Sequence, residues 1–224
     1  TAVINKLKDE NQLICTDSQE LDITDKNMVM EYVEKEKPEY IINCAAYTAV
    51  DKAEEEEELA EKVNSEGPKN LAIAADKYNC ILVHISTDYV FNGDLDINKT
   101  YKENDKTLPV TVYGKTKKEG EDNIIQNSSK YYILRTAWLY GEGNNFVRTM
   151  LKLSKEKEEL NVVNDQHGSP TYTEDLASII KQIIDKKIPY GIYHTTNIGY
   201  TTWFDFTKKI FELSNISCKV NAVT

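Results

Sequence analysis

Apolar residues along the chain fall in short, nearly unbroken runs, separated by stretches where they recur every three or four positions. The runs are "QLICTD" (12–17), "EYIINCAAY" (39–47), "CILVHISTD" (80–88), "YYILRTAWLY" (131–140), "LNVVND" (160–165) and "YGIYHTT" (190–196). Several are apolar throughout instead of alternating, which predicts strands covered on both faces. Helical spacing marks 25–37, 66–78, 112–125, 144–156, 173–187 and 201–214, with Thr201 or Thr202 as the N-cap of the last. The opening "TAVINKLKDENQ" also reads as a helix. Strand alternating with helix predicts an α/β fold, a doubly wound parallel sheet with helices on both faces.

Three stretches depart from that rhythm. The run "AEEEEELAE" (53–61) reads as a solvated helix face near an N-terminus, where the macrodipole favours carboxylates. Residues 92–111 form a long irregular connection, a kind of loop that is often functional or mobile. After residue 140 the elements change character, so 141–224 is expected to hold a smaller, mainly substrate-binding part behind a first domain over 1–140.

Composition narrows the function. With 224 residues, 40% hydrophobic and 29% charged, the chain reads as a globular protein, and it contains no membrane-length apolar window. A net charge of -10 argues against a nucleic-acid partner, which needs a basic surface. Cys15, Cys44, Cys80 and Cys218 form no C-x-x-C, and three lie in apolar runs; they are expected to be buried, reduced thiols of a cytoplasmic protein. His84, His167 and His194 share no metal-ligand spacing, so no metal site is expected from them.

The candidate chemistry sits where a strand ends. "CILVHISTD" closes on Ser86-Thr87-Asp88, at the edge where a parallel sheet opens onto its ligand crevice. Tyr113 and Lys117 follow at a spacing of one helical turn, a pattern that chance supplies readily in a chain rich in both residues. Beside Thr87 and Asp88 the pair acquires a purpose, because together they hold the parts for carbonyl reduction. Thr87 can hydrogen-bond a substrate oxygen, Tyr113 can protonate it, and the Lys117 ammonium can lower the phenol toward the working pH. A hydride must come from elsewhere, which implies a nicotinamide cofactor. Asp17 ends its run where an acidic group meets the adenosine ribose, and no arginine stands near to welcome a 2′-phosphate, a lean toward NADH. Asp22 and Ile23 could edge the adenine, an N-capping role for an aspartate before the 25–37 helix being the plainer alternative. The alanines of "CAAYTAV" (44–50) leave room for a ring or phosphate, or for tight strand–helix packing.

In order along nearly the whole chain, "NCAAYTAVDKAE" (43–54), "ISTDYVFNG" (85–93), "YGKTKKEGE" (113–121), "RTAWLYGEGNNFVRTM" (135–150) and "NDQHGSPTYTEDLA" (164–177) resemble the extended short-chain dehydrogenase/reductases, and within them the dTDP-4-dehydrorhamnose reductases. The resemblance implies a Rossmann-like NAD(P)-binding domain over 1–140 and reduction of the 4-keto group of dTDP-4-dehydro-β-L-rhamnose by NADPH or NADH. It implies Tyr113 as proton donor, Lys117 on the nicotinamide ribose, and Thr87 tuning Tyr113 and binding the oxygen. Asp88, Trp138, Val50, Tyr89 and Val90 would contact the substrate, and Ala46, Tyr47 and Thr48 the cofactor. For Trp138 the alternative is a core aromatic. Homodimers with Mg²⁺ at the interface occur in such families, so both are admitted here. Within the superfamily, a nucleotide-sugar epimerase or dehydratase is the nearest rival; a regulatory subunit related to the methionine adenosyltransferase partner is another.

Two departures stand out. The family's Gly-rich turn, G-x-x-G-Q-L-G, has no counterpart, and the C-terminal region looks short after "KVNAVT". The expectation is of a native protein longer at both ends.

Overall fold

The structure, a computed structural model, describes residues 1–96 and 98–224. In chain order it runs α1 (Ala2–Leu7), α2 (Lys26–Glu36), β1 (Tyr40–Asn43), α3 (Val50–Ala53), α4 (Glu57–Glu61), a π-helical turn (Lys62–Glu66) and α5 (Gly67–Tyr78). Then come β2 (Ile81–Thr87), a 3₁₀ turn (Asp88–Val90), α6 (Val112–Asn127), β3 (Tyr131–Thr136), β4 (Leu139–Tyr140) and α7 (Phe146–Glu156). The remainder is β5 (Glu159–Val163), β6 (His167–Gly168), β7 (Thr171–Tyr172), α8 (Thr173–Lys186), β8 (Gly191–His194), β9 (Thr201–Thr202), α9 (Trp203–Leu213) and β10 (Lys219–Val223).

Two units divide the chain, one of Ile14–Thr136 with Ile188–His194, the other of Thr1–Leu13, Ala137–Lys187 and Thr195–Thr224. This differs from a single division at residue 140, because β8 returns to the first unit as a sheet strand. In that unit β1, β2, β3 and β8 form a parallel sheet in that order. Apolar strands make its centre: Leu82, Val83, Ile133 and Leu134 have no exposed surface. Val29 and Val33 of α2, Leu71, Ala72, Ala74 and Ala75 of α5, and Ile124 of α6 complete the core around Leu82 and Ile133. Each large aliphatic side chain so buried contributes about 1.5–3 kcal/mol. The irregular 92–111 connection contains Ile97, which lies outside the described residues. It is pinned to the sheet: Glu103 Oε1 accepts from the His194 amide at 3.1 Å, and Tyr101 stacks on Phe91 at 4.2 Å.

The second unit holds the pairs β5–β10, β4–β7 and β6–β9. Helices α7 and α9 close over β5, burying Met150, Leu160, Val162, Ile210 and Phe211. Thr202 caps α9, its hydroxyl accepting from the Asp205 amide at 3.0 Å.

Three expectations are corrected. Residues 12–17 are not a strand: none of the described residues pairs with them, and an extended segment without a ladder partner stays irregular. Residues 160–165 leave the main sheet, because β5 takes β10 as its neighbour. Of the cysteines only Cys80 is buried; Cys15 and Cys44 lie in irregular segments outside the sheet and are exposed, and Cys218 is half-buried, though all four are free thiols.

Candidate active site

The carboxyl end of β2 supplies the first group. Thr87 caps the 3₁₀ turn that follows it, its hydroxyl accepting from the Tyr89 amide at 3.2 Å and donating to Asp88 Oδ1 at 3.0 Å. Burial lifts the Asp88 carboxyl to about 6, against the opposing hydrogen bond from Thr87.

Helix α6 brings the second group. Thr111 caps it through the Gly114 amide at 3.0 Å, and Glu54 Oε1 accepts from the Val112 amide at 2.8 Å. The helix lies so close to its neighbours that a Cβ on Gly114 would stand 2.3 Å from the Tyr89 carbonyl oxygen. One on Gly120 would stand 2.1 Å from that of Asn64. This approach sets the Tyr113 ring edge-on to Tyr89, with centroids 5.4 Å apart. Burial pushes the Tyr113 phenol up to about 12; the Thr87 hydroxyl opposes this, and the Asp88 and Tyr89 side chains add to it.

Lys117 lies one turn further along α6. It is 1% exposed and turned onto β2, donating to the Ile85 carbonyl at 2.7 Å with His84 Nε2 at 3.2 Å. Burial lowers it to about 8, while Glu121 and Cys44 oppose that shift. With its phenol raised to about 12 by burial, Tyr113 keeps its proton at neutral pH.

Several residues of this neighbourhood were not anticipated. Asn43 and His84 are buried, joined at 3.0 Å between Nδ2 and Nδ1. Glu121, one turn beyond Lys117, takes Arg135 in two hydrogen bonds of 2.9 and 2.7 Å and Ser86 in a third of 2.7 Å. Asn64, on the π-helical turn, clasps the Tyr47 backbone at 2.8 and 3.0 Å and reaches Thr116 at 3.2 Å. Their only sequence signal is polarity inside apolar runs and, for Glu121, its place four residues after Lys117.

The other candidates divide. Ala46, Tyr47 and Thr48 follow β1 toward α3, with Thr48 exposed and the Tyr47 hydroxyl on Glu56. Hydroxyl, phenol and amine groups together with the small residues Ala45 and Ala46 suit a nicotinamide cofactor at the carboxyl ends of β1 and β2. Asp17 and Asp22 are exposed, each turned to its own loop: Asp17 Oδ1 accepts from the Gln19 and Glu20 amides, and Asp22 Oδ1 from Thr24. Ile23 packs in the core fringe, its side chain so near Gly67 that a Cβ there would lie 2.5 Å from it. Val50, half-buried, opens α3. Val90, with no exposed surface, supports the turn beneath Asp88. Trp138 belongs to the second unit, where it stacks on Trp203 with centroids 3.4 Å apart and covers Gly168. Among the described residues, no group of three or more His, Cys, Asp or Glu side chains could hold a metal ion, and no helix is long and apolar enough to cross a membrane.

A parallel sheet whose central strand ends in Thr-Asp, faced by a helix bearing Tyr-x-x-x-Lys, defines a short-chain dehydrogenase/reductase site. Comparison narrows the class: residues 1–224 match the family described as the RmlD substrate binding domain, and the chain belongs to that family. It is 46% identical over 226 residues to the dTDP-4-dehydrorhamnose reductase of Aggregatibacter actinomycetemcomitans, a match covering 95% of this chain and 76% of that one. Further curated relatives, 43–45% identical, are matched over 59–65% of their own length, so the chain spans less than two thirds of them. Among solved structures, a dTDP-4-dehydrorhamnose reductase of Clostridium acetobutylicum superposes with a TM-score of 0.97 at 49% identity, over 100% of this chain and 79% of that one. That of Bacillus anthracis, in complex with NADP, gives 0.93 at 42%, over 99% and 80%.

Proposed function

We propose that this protein reduces the 4-keto group of dTDP-4-dehydro-β-L-rhamnose to dTDP-β-L-rhamnose, using NADPH or NADH. The observation that carries the reading is the Thr87 hydroxyl set against the Tyr113 phenol, with Lys117 one turn behind, in a chain whose relatives are named for that reaction. A nicotinamide cofactor, when bound, supplies the hydride; Lys117, Ala46, Tyr47 and Thr48 are the residues that would hold it, and the relative solved with NADP supports it.

The chain's own residues then have distinct work. Tyr113 enters the reaction protonated, since its phenol stands near 12, and gives that proton to the substrate oxygen. Thr87 binds the same oxygen and eases the charge left on the phenolate. Asp88 holds a sugar hydroxyl.

Tyr113→Phe tests the assignment. Loss of NADPH oxidation by about 10²-fold or more, with cofactor binding retained by fluorescence titration, is expected. Undiminished turnover removes Tyr113 as donor. Failure of the unaltered protein to consume NADPH stoichiometrically with the 4-keto sugar overturns the reductase reading.

A further inference from the structure

The hydrogen bonds around Lys117 run in one direction. The Ala45 backbone N–H meets Asn43 Oδ1 at 3.0 Å. A backbone N–H can only donate, so the amide oxygen is the atom it faces, and the Asn43 amide is oriented. Its NH₂ group, also a donor only, is thereby left on His84 Nδ1 at 3.0 Å. Nδ1 must supply a lone pair, and the proton of a neutral ring then sits on Nε2. That N–H points at Lys117 Nζ, 3.2 Å away. An ammonium has no lone pair to receive it. A neutral amine does, and its two N–H groups still serve the Ile85 carbonyl at 2.7 Å.

We propose that Asn43 and His84 are positioning residues for Lys117: they dock it as a neutral amine against β2, and protonation obliges Nζ to leave His84 Nε2. The proposal rests on the reading of Tyr113 and Lys117 as the reductase pair. It makes the lysine a group that changes place with its proton, not a fixed cation.

The remaining charges near Lys117 leave that logic intact. Glu121, on its own helix, is committed to Arg135 of β3. Cys44, after β1, is exposed as a residue, but its sulfur is desolvated and its pKa raised, so it stays a thiol. Asp88 and Tyr89 bear on Tyr113. Burial keeps His84 well below its ordinary value, hence neutral, and brings Lys117 to about 8, where both docked and released forms are populated near neutral pH.

Nitrogen NMR of the ¹⁵N-histidine-labelled protein tests this without turnover. There are three histidines, and His84→Gln identifies the signals of His84. The expected result is an Nε2–H tautomer from about pH 5.5 to 9, its Nε2 shift inflecting with Lys117 and losing the inflection in Lys117→Met. An Nδ1–H tautomer, or a ring that protonates in that range, overturns the proposal. Asn43→Asp supplies the second arm by placing an acceptor at Nδ1, which turns Nε2 into an acceptor for the ammonium. In that variant the Lys117 limb of the pH–kcat/KM profile is expected to move up by about one pH unit or more. An unmoved limb in folded protein also overturns it. If Asn43→Asp does not fold, the tautomer alone decides. If the protein proves not to be a reductase, the tautomer still reports on the docking.

Discussion

Asp88 illustrates how a single residue trades stability for a site. Its carboxyl stands at about 6 in the fold against an ordinary 3.8, because burial disfavours the charge. Between those values the folded state holds the proton more tightly, so stability from this group falls as pH rises through the window. At neutral pH the fold carries a half-buried carboxylate whose donors, the Thr87 hydroxyl and the Asp88 and Tyr89 amides, do not offset its desolvation. Asp88→Asn is therefore expected to stabilise the protein by about 1–2 kcal/mol at pH 7.5 and by little near pH 4, read from urea midpoints. The same variant is expected to raise the KM for the sugar, the cost of losing an acceptor for its hydroxyl. Thr87, Tyr113 and Lys117 were legible as candidates because strand-end polarity and helical spacing are local signals. Asn43, His84 and Glu121 were not, because their partners come from other elements. His84 meets Lys117 across 33 residues, and Ser86 meets Glu121 across 35. Nor could sequence show which way Lys117 would turn, since an amine goes to whichever acceptors the packed strand presents.

At the scale of elements, α6 is the part on which the site depends. It carries Tyr113, Lys117 and Glu121 at successive turns, and its depth is governed by two glycines. In an isolated helix, Gly120→Ala would gain about 1 kcal/mol from propensity. Here the added Cβ would meet the Asn64 carbonyl oxygen at 2.1 Å, and Asn64 is fastened by its own side chain to the Tyr47 backbone. A backbone carbonyl cannot step aside as a side-chain tip can, so α6 must lift. The expected result is a net loss of about 1–3 kcal/mol in urea denaturation, with reduced turnover as Tyr113 shifts. A stabilised variant would mean that the contact is slack. Helices α2, α5, α6, α7, α8 and α9 were legible because a 3.6-residue repeat with caps is written in the chain itself. The 12–17 run was misread because an apolar run specifies strand propensity, and only a neighbour turns propensity into a strand.

Across the whole molecule, the alternation of elements foretold the doubly wound α/β class, since covered strands need helices on both faces. The return of β8 to the first unit was not legible, because a short strand names no partner in sequence. Stability as a function of pH sums these local features into a property of the entire fold. Lys117 stands at about 8 when folded and at an ordinary 10.5 when unfolded. Below about 8 both states carry its proton, and the fold bears the full cost of a buried ammonium. Between about 8 and 10.5 the unfolded chain binds more protons than the folded one, so stability rises with pH there. The difference amounts to roughly 3 kcal/mol at most. Lys117→Met keeps the length of the side chain and removes the charge. It is expected to be more stable than the unaltered protein at pH 7, by about 1–3 kcal/mol, with the gap closing toward pH 10.5. Parallel urea titrations of the two proteins at several pH values measure that gap. A gap that stays constant would show that Lys117 carries no buried-charge cost, and the inward docking against His84 and Ile85 would then have no electrostatic consequence.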